Sequence, residues 1–185
     1  MTNAIDNDFV WIQSGPYRAA IDPYGAGLAA AQYDGIDFVN TYVSSRPHCS
    51  GMLLAPWPNR VGDARYYHDG EIFELAISEP ERGNANHGFV GFEHWEVNRP
   101  KEDECTLRLS MPAQKGYPWP FEYAITWSVS ASGGVSANFS ATNLSDATAP
   151  FGFGFHPYLL APGSVADQSI LQLPVRQMLP AGSGA

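Results

Sequence analysis

The 185-residue sequence predicts an all-β sandwich, on the evidence of its strand-period alternation, its lack of helical periodicity and its dense Gly and Pro punctuation. Phe121, Tyr123, Ile125, Trp127 and Val129 occupy every second position of one segment, the period that builds one buried strand face. No long stretch holds apolar residues at helical spacing. Gly at 18 positions and Pro at 15 cut the chain into short runs, which suits strands and turns better than an α/β fold.

In chain order, Phe9 to Gln13, Tyr17 to Asp22 and Leu28 to Tyr33 read as strands, followed by Gly51 to Ala55. Asp69-Gly70 marks a hairpin between Tyr66 and Leu75, because Gly enters the positive-φ turn that a two-residue connection requires. Glu102-Asp103-Glu104 reads as a solvated turn before a strand from Cys105 to Met111. Gly133-Gly134 separates the Phe121 to Val129 segment from Val135, Ala137, Phe139 and Ala141, which resume the alternation as the second arm of a hairpin. Pro150 to Tyr158 forms a further strand, Leu171-Gln172-Leu173-Pro174 is strand-like, and the small, Gly-rich tail from Gln177 reads as a loop.

Composition bounds the rest. The length suits a single domain, residues 1–185, and an apolar share of 44% with 16% charged residues supports a buried core. A formal net charge of −9, with only 10 Lys and Arg scattered along the chain, argues against nucleic acid and anionic membrane as partners. Neither a signal peptide at Met1 to Phe9 nor a membrane-spanning run is readable, so the expected location is cytoplasmic. Cys49 and Cys105 then read as thiols, and the sequons at Asn138 and Asn143 carry no weight.

Three segments can hold chemistry. In Pro150-Phe151-Gly152-Phe153-Gly154-Phe155-His156-Pro157-Tyr158, alternation puts three Phe on one face and Gly152, Gly154 and His156 on the other. The Phe face would anchor the strand in the core while the glycines let a ligand approach the backbone. His156 reads either as a site residue on that open face or as a satisfied, half-buried histidine. His87, in Asn84-Ala85-Asn86-His87-Gly88-Phe89, is a loop histidine that is functional or simply solvated. In Ala55-Pro56-Trp57-Pro58-Asn59-Arg60, Asn59 and Arg60 can hydrogen-bond hydroxyls, and Trp57 offers a flat surface to a sugar ring or serves as a core aromatic. The five histidines show no metal-ligand spacing, so no metal is expected, and Glu71, Glu74, Glu79 and Glu81 offer nothing that singles out a catalytic pair.

In order and approximate spacing, Pro56-Trp57-Pro58-Asn59-Arg60, Asn86-His87-Gly88, Gly116-Tyr117-Pro118 and Gly154-Phe155-His156-Pro157-Tyr158 resemble the aldose 1-epimerase (galactose mutarotase) family over nearly the whole chain. The resemblance implies a galactose-mutarotase-like antiparallel β-sandwich that interconverts the α and β anomers of a free aldohexose, such as glucose or galactose, without a cofactor. It further implies that Arg60 and His87 contact sugar oxygens, that His87 polarises the ring oxygen, that His156 is the general acid, and that Asn59 supports the pocket. The family's Glu base and sugar-binding Asp come from a later part than any matched here, so the sandwich is expected to be incomplete at the C-terminus and its catalysis impaired. A non-catalytic carbohydrate-binding or regulatory module and a hexose-phosphate epimerase are the alternatives. The sequence does not set the oligomeric state.

Overall fold

In the computed structural model, residues 9–43, 46–98 and 101–177 are described. The expectations for the first eight residues and for the tail beyond Gln177 lie outside them.

Four antiparallel strands, β1 (Val10–Ser14), β2 (Tyr17–Asp22), β3 (Gly27–Tyr33) and β4 (Ile36–Asp37), form one sheet in that order. β2 and β3 are buried over most of their length because both faces are covered, which is why Ala19-Ala20-Ile21 and Leu28 to Ala31 read as continuous apolar runs. Tyr42 and the Ala20, Ala29, Ala30 face cover each other on the outer side.

β5 (Met52–Leu54) follows, then the short β6 (Arg60–Val61), the hairpin of β7 (Arg65–His68) and β8 (Glu71–Glu74), and β9 (Ala85–Asn86). Asp69-Gly70 makes the predicted turn, with His68 opposite Glu71 in the ladder. The second four-stranded sheet orders β10 (Glu96–Asn98), β11 (Glu104–Met111), β12 (Phe121–Ser130) and β13 (Gly134–Asn143), all antiparallel. β12 alternates as read, with Phe121, Tyr123, Ile125, Trp127 and Val129 all buried.

These inward residues meet Ile12, Ala19 and Ile21 of the first sheet, so the two sheets share one hydrophobic core. Trp127 pins them together by donating its indole N–H to the carbonyl of Ala26 at 3.0 Å. Cys105 lies in this core and Cys49 is half-buried. Among the described residues, helix is confined to 3₁₀ turns, one of them Val90–Phe92.

Three sequence readings change. Glu104 belongs to β11, opposite Ser128, rather than to a turn. The strand expected over Pro150 to Tyr158 shrinks to β14 (Gly154–His156), because upstream of it the backbone bonds only once, from Gly152 to the Pro56 carbonyl beyond the end of β5. The strand-like Leu171 to Pro174 stretch has no ladder and is exposed, with Leu171 at 62% and Leu173 at 56% of full accessibility. Alternation in so short a run records composition, not pairing.

Candidate active site

The backbone around Ala55-Pro56 gathers the three sequence motifs. On one side β14 pairs antiparallel with β5, setting His156 opposite Met52, and Gly152 donates its N–H to the Pro56 carbonyl at 2.7 Å. On the other side Gly88 runs parallel to Ala55, and Phe89 donates to the Ala55 carbonyl at 2.8 Å. A Cβ on Gly88 would stand 2.0 Å from that carbonyl oxygen, and its φ of +69° is a left-handed value. Only glycine permits so close a crossing.

The crossing brings His87 and His156 together. Their ring centroids are 5.7 Å apart at an interplanar angle of 83°, an edge-to-face contact, and Tyr158 lies 5.2 Å from His156 on the same strand end. Asn59 fixes His87 from the other direction: the Asn59 N–H donates to His87 Nδ1 at 3.1 Å, and the His87 N–H returns a bond to the Asn59 carbonyl at 2.9 Å. Both residues hold left-handed backbone, with φ of 61° and 64°. Such conformations cost energy and cluster at functional sites.

With Nδ1 accepting, a neutral His87 carries its proton on Nε2 and is a donor there. Burial lowers the His87 pKa below its usual 6.5, and the neighbouring His156 and Arg60 push it the same way against Glu79. Neutral His87 is therefore the dominant form at neutral pH.

Arg60 is next to Asn59 and opposite Asn86 in the β6–β9 pair. Its Nε and Nη2 bind the two carboxylate oxygens of Glu79 at 2.6 and 2.9 Å, and Nη1 reaches Asn59 Oδ1 at 3.3 Å. The guanidinium holds the Glu79 carboxyl at about 2, well below the ordinary range. Sequence reasoning saw Glu79 as one of four equivalent glutamates; nothing local distinguished it, since its partner lies 19 residues away.

The structure brings His87, His156, Asn59 and Arg60 together, and sets Trp57 beside them rather than among them. Trp57 packs edge-to-face on Phe89 at 4.9 Å. It lines a cavity of about 340 Å³ with Tyr66, Tyr117 and Phe151, and a second of about 200 Å³ with Phe89 and Phe92, neither of which is lined by a histidine. Among the described residues, four buried side-chain polar atoms have no hydrogen-bond partner: Thr41 Oγ1, away from these motifs, and the Trp57 indole nitrogen, Asn86 Oδ1 and His156 Nδ1, one in each of them. Fully buried polar atoms are usually paired, so three exceptions in the three motifs are notable.

Two of the other three histidines pack against aromatic rings: His68 on Trp119, also meeting the Thr148 carbonyl at 3.0 Å, and His94 on Tyr24. Among the described residues no group of three or more His, Cys, Asp or Glu is placed to hold a metal ion, and no helix is long and apolar enough to cross a membrane.

Residues 8–183 match the family described as Aldose 1-epimerase. The chain belongs to the aldose 1-epimerase family. It is 30% identical over 171 residues to the uncharacterised protein YihR of Escherichia coli K12, a match that covers 91% of this chain and 56% of that protein. The solved structure of a GalM/aldose epimerase homologue from C. elegans superposes with a TM-score of 0.74 at 20% identity, covering 84% of this chain and 51% of that one. A galactose 1-epimerase from Lactobacillus acidophilus NCFM gives 0.69 at 17% identity, covering 86% and 51%. The chain thus spans about half the length of these relatives, and it carries the galactose-mutarotase-like antiparallel fold.

In this member of the aldose 1-epimerase family the space left by the glycines of the His156 motif, which alternation reads as room for a ligand, is taken by Pro58. A Cβ on Gly152 would meet Pro58 Cδ at 3.1 Å, and one on Gly154 would meet Pro58 Cβ at 2.8 Å. They make room for the Pro58 ring, which seats the segment leading to Asn59 and Arg60. Nor is the Phe face closed: Phe151 and Phe153 stack on Phe121 and Phe139, and Phe155 meets Trp127 edge-to-face, yet they remain 43%, 41% and 37% exposed.

Proposed function

We propose that this chain provides the two-histidine half of a mutarotase site that interconverts the α and β anomers of a free aldohexose such as glucose or galactose. The edge-to-face contact of His87 and His156 at 5.7 Å, flanked by Arg60, is the observation that carries the reading.

Anomer exchange needs a proton delivered to the ring oxygen as the C1–O bond breaks, and removal of the anomeric hydroxyl proton as the C1 carbonyl forms. Rotation about C1–C2 turns the other carbonyl face toward the hydroxyl, and reclosure reverses both transfers. In this assignment His156 delivers the proton to the ring oxygen. Neutral His87, a donor at Nε2, hydrogen-bonds and polarises the same oxygen, and Arg60 stabilises charge developing on sugar oxygens. The family resemblance assigns the anomeric base to a carboxylate of the family's later part. Residues 1–185 would then belong to one domain that this base completes, acting on a small-molecule aldose in the cytoplasm.

Polarimetry or anomeric NMR of freshly dissolved α-galactose and α-glucose tests the reading. His156→Ala should slow the catalysed relaxation roughly 10²–10⁴-fold, the usual contribution of a general acid. Relaxation no faster with a folded, extended version that includes the family's carboxylate base than with its His156→Ala variant would remove the catalytic assignment.

A second reading, a carbohydrate-binding module, is favoured by one observation: Glu79, the carboxylate whose charge acts on His87, is committed to Arg60 and is not free to serve as a base. Saturable sugar shifts at His87 and His156 without faster mutarotation would select it. Absence of any sugar-induced shift would eliminate it.

A further inference from the structure

We propose that Glu79 is a positioning residue for Arg60, whose carboxylate holds the guanidinium in advance of ligand and leaves it two defined N–H groups to offer. The inference rests on the reading of Arg60 as a sugar contact.

Arg carries five N–H donors in a planar fork. Glu79 takes the Nε–H and one hydrogen of Nη2, and Asn59 Oδ1 takes one hydrogen of Nη1. What remains is one N–H on each terminal nitrogen. A long side chain fixed this way loses less freedom when a ligand arrives than one that must be ordered at that moment.

Glu79 itself is held by the backbone. Its N–H donates to the Asn84 carbonyl at 3.0 Å, and its own carbonyl accepts from Arg82 and Asn84 at 3.1 and 3.3 Å. The Ser78 hydroxyl accepts from the Asn86 N–H at 2.8 Å, and Asn86 is the register partner of Arg60. The turn that presents Glu79 is thus tied to the strand pair that presents Arg60.

Glu79 also sits between two cations. Arg82 Nε approaches Oε1 at 3.8 Å, and Asn84 Nδ2 approaches Oε2 at 3.4 Å. The carboxylate occupies the position that an external oxyanion would take between these guanidinia. Removing its charge should turn the pair toward anions. His87 feels the same charge, faced also by His156 and Arg60.

The test compares Glu79→Gln and Glu79→Asp with the unaltered chain by NMR. In the ligand-free protein, the Arg60 Nε–H should be protected from exchange. In Glu79→Gln that protection should be lost and the His87 titration should move to lower pH, because the charge that raised it is gone. Galactose affinity should fall about tenfold, while affinity for inorganic phosphate rises by about the same factor. Glu79→Asp, which keeps the charge but shortens the reach, should keep phosphate affinity at the unaltered level and lose part of the galactose affinity.

Unprotected Arg60 Nε–H in the unaltered chain would overturn the proposal even if both variants failed to fold. So would an unchanged His87 titration, or no phosphate gain, in a folded Glu79→Gln. If the unaltered chain bound no galactose at all, the sugar reading would fail, whereas the ligand-free and phosphate measurements would still judge Glu79.

Discussion

Asn59 and His87 hold each other through two reciprocal contacts, the Asn59 N–H on His87 Nδ1 and the His87 N–H on the Asn59 carbonyl. Because the donor to the ring is a backbone group, the Nε2–H tautomer of neutral His87 does not depend on the Asn59 side chain. Asn59→Gly should therefore preserve it, and glycine also suits the left-handed φ of 61°. Long-range ¹H–¹⁵N correlation of the imidazole should show Nε2 protonated in both proteins; a switch to Nδ1–H would refute the assignment.

The same burial predicts a pH dependence of stability. His87 has a folded pKa below the 6.5 of the unfolded chain, so between those values the unfolded state binds more protons. Its contribution to stability is fully present above about pH 6.5 and is lost as pH falls through the folded value. Urea unfolding in this window should show a smaller loss for His87→Gln than for the unaltered chain. Equal losses would mean that His87 is not desolvated in the fold.

Glycines at the site should differ sharply in tolerance. Gly88→Ala forces a Cβ to 2.0 Å from the Ala55 carbonyl oxygen at a positive φ, and backbone cannot yield cheaply. A loss on the order of 2 kcal/mol or more is expected. Gly152→Ala meets the Pro58 ring at 3.1 Å and otherwise only ordinary contacts with Pro56 and Trp57 backbone at 3.8 and 3.9 Å, and should cost less than half as much. Denaturant midpoints give the comparison, and the order of the two losses is the point at risk.

The uncovered aromatic row carries a third consequence. Phe151, Phe153 and Phe155 are each more than a third exposed, and among the described residues β13 is the last strand of its sheet order, with no strand paired to its outer side. An apolar face beside a long strand edge favours association. The chain should bind a hydrophobic dye and sediment with concentration-dependent size, and Phe151→Ser should weaken both. A monomer without dye binding would show that the row is not adhesive.

What the sequence disclosed, and what it hid, follows from range. β12 was readable because its alternating burial is written into consecutive residues, and β2 because Tyr17 to Asp22 is a continuous run between turns. The two-residue pairings β6 and β9 were not, since they exist only because distant segments meet. His87 and His156 were nominated by motif resemblance, yet their contact depends on Ala55-Pro56 lying between them. Glu79 carries no local mark, and the packing of Pro58 against Gly152 and Gly154 is invisible to a single strand's alternation.

A buried ion network supplies the last prediction. Asp22 Oδ2 accepts from Arg46 Nη2 at 3.1 Å and from the Tyr42 hydroxyl at 3.0 Å, while Arg46 Nη1 donates to the Gly91 carbonyl at 2.9 Å. The guanidinium thereby links β2 to the 3₁₀ turn that follows His87 and Gly88. Both charged side chains are close to fully buried, at 9% and 12% exposure. Asp22→Ala leaves Arg46 charged and unpaired inside the fold, which should cost about 3–5 kcal/mol. Replacing Asp22 and Arg46 together by Leu and Met removes both desolvated charges and should cost less than Asp22→Ala alone, apart from the lost bonds of Arg46 to the Gly91 and Tyr24 carbonyls and to the Tyr42 hydroxyl. Urea unfolding of both variants decides the matter: if the double variant is the less stable, the neutral bonds of Arg46 to Gly91, Tyr24 and Tyr42 outweigh its pairing with Asp22.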